Sequence, residues 1–312
     1  MPPAPAAARP IGVIIPARNA APWLADALGS LRAQTLADWR AVVVDDGSTD
    51  PTAAIAAGAG DGRIGLIRQA PQGVSAARNR GAAALADSRA LLFLDADDWL
   101  APDALARLDA ALTHAPAAVA ACGAYAPVTA TAAPDRRLRA GAVRRAVGGA
   151  VLTRLLTRNL FANGGHLLLR TEATRQAGGF RPELSFAEDW DYWVRLALLG
   201  PFVAVPGRAP VLFVRRRAEG ACLRAAPDPA AFAPALAAAF AHPDLHARFG
   251  PARLARLHRQ MSTEADWVAG RALLWHGAAR TALPRLRQAL IARPSLRRAG
   301  LLALWQLRAW MR

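Results

Sequence analysis

The chain has 312 residues and a net charge of +16, carried by 39 basic residues that are all arginine. Hydrophobic residues at 54% exclude a disordered composition, and the absence of lysine excludes Schiff-base chemistry. The two cysteines, Cys122 and Cys222, form neither a metal-ligand spacing nor a disulfide framework, which fits a reduced, cytosolic setting.

The positive charge favours anionic partners: nucleotides, phosphorylated lipids, a membrane surface or nucleic acid. Aromatic content of 6% and the lack of a nucleic-acid motif weigh against the last of these. No secretory signal opens the chain, since "MPPAPAAARP" has no apolar core region, and no run of about 18 uncharged apolar residues predicts a spanning helix.

Residues 1–10 read as a disordered Pro/Ala tail. "IGVIIP" (11–16) is an apolar, β-branched run stopped by Pro16, the mark of a buried parallel strand. Helical spacing follows over 21–35 through Trp23, Leu24, Ala27, Leu28 and Leu31. "WRAVVVDDGSTD" (39–50) predicts a second strand with a polar end, and "RIGLIRQ" (63–69) a third. "GVSAARNRGAAALA" (73–86) enters at Gly73, has Ser75 as a candidate N-cap and runs helical. "ALLFLDADD" is the next strand. Strands and helices thus alternate over the first hundred residues, which predicts an α/β fold with a mostly parallel sheet. Ligands of such sheets sit off the carboxyl ends of the strands, where Asn19, Asp45, Asp46, Asp95 and Asp97 collect.

The expected domains are an α/β domain over 11–227 and a helical extension over 228–312. Within the extension, Gly270, Leu273, Ala282, Leu286, Ala289 and Pro294 resemble one tetratricopeptide-type helix pair, although one unit cannot bury its own face. An ordinary helical tail packed on the main domain is the plainer expectation. The amphipathic end 296–312 sets Trp305 and Trp310 among arginines, as in a helix lying on an anionic membrane.

Asp95, Asp97 and Asp98 place three carboxylates within four residues. They repel one another unless a positive group sits between them. Asp97 or Asp98 would serve as N-cap for a helix at 102–112, but a cap does not need three acids. A divalent cation accounts for the excess, because hard cations take carboxylate and phosphate oxygens together. One residue apart, Asp95 and Asp97 would point the same way from extended chain. Haloacid-dehalogenase-like phosphatases and response-regulator receivers pair acids similarly, but both use a lysine that this chain does not have.

"VIIPARNA", "VVVDDGSTD", "GVSAARNRG", "LFLDADD" and "GGFRPELSFAEDWDYWVRL" follow one another over residues 11 to 200 in the order seen in family 2 glycosyltransferases, which this chain resembles. The resemblance implies the GT-A fold, inverting transfer from a nucleotide sugar and a divalent cation, Mn or Mg. Pro16, Arg18 and Asn19 would line the nucleotide pocket, and Asp46 would accept from the base, with a mild preference for uridine. The bland reading of "DDGS" is a strand-end turn. Gly73 would bring Arg78 to the pyrophosphate, the alternative being a solvated arginine. Asp95 would touch ribose or metal, and Asp97 would be the main metal ligand.

The resemblance puts the general base on Asp189, with Glu188 the alternative; Ser185 with Glu188 also reads as a capping box. Neighbouring Phe186, Trp190, Tyr192 and Trp193 would suit a sugar or an apolar acceptor stem. The family often carries a histidine in the segment corresponding to 211–221, and Arg217 stands there instead. It cannot ligate a cation but could contact the pyrophosphate. The expected acceptor is a glycan or lipid-linked sugar in cell-surface polysaccharide synthesis, at the inner face of the membrane. A catalytically weakened nucleotide-sugar-binding protein is the alternative.

Overall fold

The computed structural model describes residues 9–134, 141–217 and 228–310. The tail expected over 1–10 lies outside the described residues up to position 8. Cys222 also lies outside them, as does the end of the 211–221 segment beyond Arg217.

The described residues fall into two compact units. The first comprises chain up to Val151 together with Leu160–Glu183 and Arg195–Arg217. Its centre is strand β1 (Ile11–Ala17), buried at every position, as a parallel strand covered on both faces must be. β1 pairs in parallel with β2 (Trp39–Asp46) and β4 (Ala90–Phe93), and β3 (Ile64–Gln69) continues from β2. Beyond β4 the sheet becomes mixed. β8 (Leu167–Arg170) runs antiparallel to β4 and to β6 (Ala120–Cys122), and β9 (Phe202–Ala204) pairs in parallel with β6 at the edge. A smaller sheet joins β10 (Pro210–Arg215) to β5 (Trp99–Leu100) and β7 (Ala124–Val128).

Helices α1 (Leu24–Arg32), α3 (Val74–Ala84) and α4 (Ala104–Thr113) form within the stretches 21–35, 73–86 and, but for its last residue, 102–112 where helices were expected, and the short α2 (Thr52–Ala57) was not foreseen. Pro16 does not stop β1. Ile14 gives its carbonyl to the Leu94 N–H, so Pro16, two residues on, turns its backbone toward β4, whose pairing has already ended. The missing N–H therefore costs no ladder bond. Ser75 is not the cap of α3: Gly73, at φ +92°, is the N-cap, and Ser75 is buried as the second residue of the helix. Helix α3 lies close on the sheet, because a Cβ at Gly81 would stand 2.4 Å from Ile14 and 3.2 Å from Val44.

Further along are α5 (Leu152–Leu155), α6 (Thr171–Gln176), α7 (Glu188–Leu199), α8 (Ala233–Phe240), α9 (Pro243–Trp275), α10 (Ala279–Ala292) and α11 (Leu296–Trp310). α9 is broken at Gly250, whose φ of +66° precedes Pro251. The second unit comprises Leu152–Asn159, Leu184–Val194 and the described chain beyond Arg217. Trp190 anchors it: the ring is fully buried, its Nε1–H donates to the Leu155 carbonyl at 2.9 Å, and Phe232 packs 5.0 Å away. α9 and α10 pair through small residues. A Cβ on Gly270 would meet Leu286 at 2.8 Å, and Ala282, Leu286 and Ala289 are buried together with Leu302 of α11. Among the described residues no helix is long and apolar enough to cross a membrane.

Candidate functional site

The acidic knot is a turn. β4 ends at Phe93, and the Asp98 N–H donates to the Asp95 carbonyl at 3.0 Å, so the chain reverses instead of continuing extended. The turn brings one oxygen from each of Asp95, Asp97 and Asp98 within 4.8 Å of the others. Neither Asp97 nor Asp98 caps α4, whose N-cap position is held by Asp103.

Each acid is held by cationic or polar partners, one of which, Asn163, is shared by Asp95 and Asp98. Asp95 is paired with Arg78 at 3.1 Å and accepts from Asn163 Nδ2 at 3.1 Å. Arg78 is therefore not a solvated arginine: it is 6% exposed and its guanidinium also lies 5.0 Å from the centre of the Phe180 ring. Asp97 accepts from Arg217 Nε and Nη2, both at 2.6 Å. Asp98 is buried and spends both oxygens on protein, taking the Arg215 N–H at 2.8 Å and Asn163 Nδ2 at 2.6 Å. Arg215 ties the turn from the β10 side, through Nε to the Asp97 carbonyl at 2.9 Å and Nη2 to Asp26 at 2.7 Å.

Burial, with Asp95 next to it, pushes the Asp97 carboxyl above its ordinary range against the pull of Arg217. Burial and the two neighbouring acids push Asp98 up further, against its bonds from Arg215 and Asn163. A site that resists losing its protons is one that an added cation would relieve. Its donors are hard carboxylate oxygens, the set that Mg2+ and Mn2+ prefer, and Asp95 and Asp97 are only partly buried. The residues present therefore fit the expected cation.

One strand away, β2 delivers Asp45 and Asp46. Asp45 accepts from the Ser48 N–H and pairs with Arg68 at 3.3 Å. Asp46 accepts three bonds, from Gln69 Nε2 at 2.8 Å, the Gln72 N–H at 2.7 Å and the Gly73 N–H at 2.8 Å. Burial works to raise its pKa, but these bonds, helped by the charge of Arg18, outweigh burial and lower it. Asp46 thereby fixes the entry to α3 and leaves about one of its four lone-pair sites open. Asn19, at φ +49°, takes the Ser48 hydroxyl on its own N–H at 2.9 Å and accepts from the Thr49 N–H at 2.9 Å. It joins the loops after β1 and β2, while Arg18 beside it is exposed.

In the second unit, Glu188 and Asp189 open α7, and both are partly buried. The helix starts at Glu188, which is its first residue and not the third, the place a capping box with Ser185 requires. Ala187 just before it has φ +59°, a strained backbone for a residue with a Cβ. Asp189 Oδ1 accepts its neighbour's Trp190 N–H at 2.6 Å. Trp190, Tyr192 and Trp193 are core residues at 1% exposure or less, which leaves Phe186 as the partly exposed ring of the four.

Asn163, which bridges Asp95 and Asp98, and Arg215 were scarcely marked by local pattern. Both reach the turn from far along the chain. One signal was present: "NGG" at 163–165 sets two glycines after an asparagine, and a Cβ on Gly164 would meet Phe93 at 2.7 Å. The backbone must therefore pass close to the end of β4 for Asn163 to reach the acids.

The fold is shared with solved structures. Staphylococcus aureus TarS 1-349 superposes with a TM-score of 0.62 at 16% identity, over 91% of this chain and 81% of that one. The mannosyltransferase PcManGT from Pyrobaculum calidifontis, solved with GDP-Man and Mn2+, gives 0.58 at 20% identity, over 99% and 82%. At these identities the likeness shows the fold, which is the GT-A fold expected. Among curated proteins, the succinoglycan biosynthesis protein ExoU of Rhizobium meliloti (strain 1021) is 42% identical over 106 residues, 33% of this chain and 30% of its own. The uncharacterized glycosyltransferase EpsJ of Bacillus subtilis (strain 168) is 33% identical over 117 residues, 37% and 34% respectively. The chain spans about a third of the length of these two relatives. The profile of glycosyl transferase family 2 matches residues 12–176, more than half of the sequence, and the chain belongs to that family.

Proposed function

We propose that the chain transfers a glycosyl group from a nucleoside diphosphate sugar to an acceptor hydroxyl, with inversion at the anomeric carbon. The observation that carries this reading is the acid turn Asp95–Asp98 with a guanidinium at each side, Arg78 and Arg217. A diphosphate needs positive charge and hard-cation ligands together, and the turn offers both. Asp95 and Asp97 would hold Mg2+ or Mn2+, which supplies charge neutralisation on the diphosphate. Arg78 and Arg217 are the side chains suited to the phosphate oxygens. Asp46, with one acceptor position left, takes the base, and Pro16, Arg18, Asn19 and Gly73 shape the loops around it. Neighbours of the same fold were solved with UDP-GlcNAc and with GDP-Man, which supports a nucleotide-sugar donor; uridine remains our preference for the base.

The base of the reaction is Asp189. Its carboxylate takes the acceptor hydroxyl proton as the oxygen bonds to the anomeric carbon. The bond from that carbon to the diphosphate oxygen breaks, and the nucleoside diphosphate leaves with the electron pair. The strained Ala187 just before the acidic pair supports a functional role for this helix start. Glu188, the first residue of the helix, is the second candidate.

Relatives in succinoglycan and PGL/p-HBAD biosynthesis support a glycan or lipid-linked acceptor, handled at the inner face of the membrane. Ile291, Leu296 and Leu304 are 79%, 96% and 59% exposed beside the exposed Arg287 and Arg297, which suits peripheral contact with anionic lipid. The test uses the full chain with an identified donor and acceptor. Asp189→Asn should lower turnover by about 10²–10⁴-fold while donor affinity stays within a few-fold. Full turnover in that variant moves the base to Glu188. Donor binding without transfer to any acceptor would favour the weakened binding protein.

A further inference from the structure

Arg217 sits on the carboxylate that a cation would use. Its Nε and Nη2 both reach Asp97 Oδ2 at 2.6 Å, and the guanidinium lies 4.1 Å from the centre of the Trp23 ring. The ring face and the carboxylate together hold the positive charge in place. On the other side of the turn, Arg78 holds Asp95 in the same way at 3.1 Å. Each of the two partly open acids of the cluster thus has a guanidinium on one of its oxygens. The two interactions differ in their surroundings: the Arg78 side chain is 7% exposed and enclosed, whereas that of Arg217 is 27% exposed and able to leave.

A divalent ion approaching Asp97 must take its oxygen from Arg217 or sit beside a like charge. A diphosphate changes that balance, because a guanidinium forks onto phosphate oxygens as well as onto a carboxylate. We propose that Arg217 occupies the cation's place on Asp97 until a donor diphosphate draws it away, so that cation and diphosphate load together and not in turn. The proposal rests on the nucleotide-sugar reading above and adds to it a coupling of the two binding events set by one residue.

The test is Mn2+ binding read by the electron paramagnetic resonance of the free ion, on the full chain, without nucleotide and then with UDP or GDP. Wild-type protein should bind Mn2+ at least about tenfold more tightly once nucleotide is present. Arg217→Gln should bind Mn2+ alone about tenfold more tightly than wild type, as expected for removing one partly buried charge-assisted pair, and should gain less from nucleotide. Trp23→Ala, which removes only the ring under the guanidinium, should move in the same direction by less. Mn2+ affinity of a natively folded Arg217→Gln that equals or falls below wild type overturns the proposal. Equal nucleotide binding with and without Mn2+ also overturns it but leaves the donor reading standing. Failure to bind UDP and GDP under both conditions would remove the donor reading as well.

Discussion

Replacing Asp46 with Asn changes one atom of a carboxylate that carries three hydrogen bonds. Bonds to a charged acceptor contribute about 1.5–3 kcal/mol each, and those on the partly open β3–α3 loop belong at the low end. The amide keeps one accepting oxygen but turns an NH2 group toward a backbone N–H, so one or two of the three bonds are lost. The expected cost is about 2–4 kcal/mol, or a melting temperature lower by roughly 5–15 °C at 2–4 °C per kcal/mol. The folded-state pKa of Asp46 is lowered, so the stability it contributes is present above the unfolded value of about 3.9 and is lost as pH falls below it. The difference between wild type and Asp46→Asn should therefore be full at pH 7 and shrink below about pH 4. Thermal unfolding by circular dichroism at both pH values reads this directly. A variant that melts within a degree of wild type at pH 7 would refute the view that Asp46 holds the entry to α3.

Two further predictions concern the frame behind the site. Gly81→Ala gains about 1 kcal/mol in helix propensity but sets a Cβ 2.4 Å from the fully buried Ile14, an overpacking cost of about 1–3 kcal/mol, so urea unfolding should show net destabilisation. Greater stability in that variant would mean that α3 lifts freely from the sheet. His166 is buried, donates Nδ1–H to the Gly123 carbonyl at 2.9 Å and accepts the Ala162 N–H on Nε2 at 3.2 Å. Burial, against the Gly123 bond, lowers its pKa to about 4. The unfolded chain takes up this proton near pH 6.5 and the folded chain does not, so stability falls as pH drops from 6.5 toward 4. The loss should be about 2 kcal/mol between pH 7.5 and 5 and should be absent in His166→Gln.

What the sequence made legible was what short-range periodicity carries. Unbroken apolar runs such as "IGVIIP" and "ALLF" predicted buried strands, and the acids just past them predicted where a ligand edge would lie. Pro16 misled because a proline is harmless in a strand once the neighbour on its N–H side has ended, a fact of pairing and not of composition. Asp95 and Asp97 converge as foreseen, but through a tight turn, which an alternating pattern does not distinguish from extended chain. Phe186, Trp190, Tyr192 and Trp193 read as an acceptor platform because aromatics next to acids look alike whether they line a cleft or fill a core. Trp190, Tyr192 and Trp193 fill the core. Asn163 and Arg215 were out of reach, since their partners are 65 and 117 residues away.

That separation has a consequence for the order in which the chain is made. Asp95, Asp97 and Asp98 emerge during synthesis more than a hundred residues before Arg215 and Arg217, which tie or neutralise them. Until β10 is in place, the growing chain carries a turn of three acids whose one cationic side-chain partner among the described residues is Arg78, on Asp95. The parallel strands β1 to β4 all lie within the first 93 residues. Just past that length the nascent chain holds four of the seven strands of the large sheet and an acid turn still without Arg215 and Arg217, whose charge magnesium in the surrounding solution would shield.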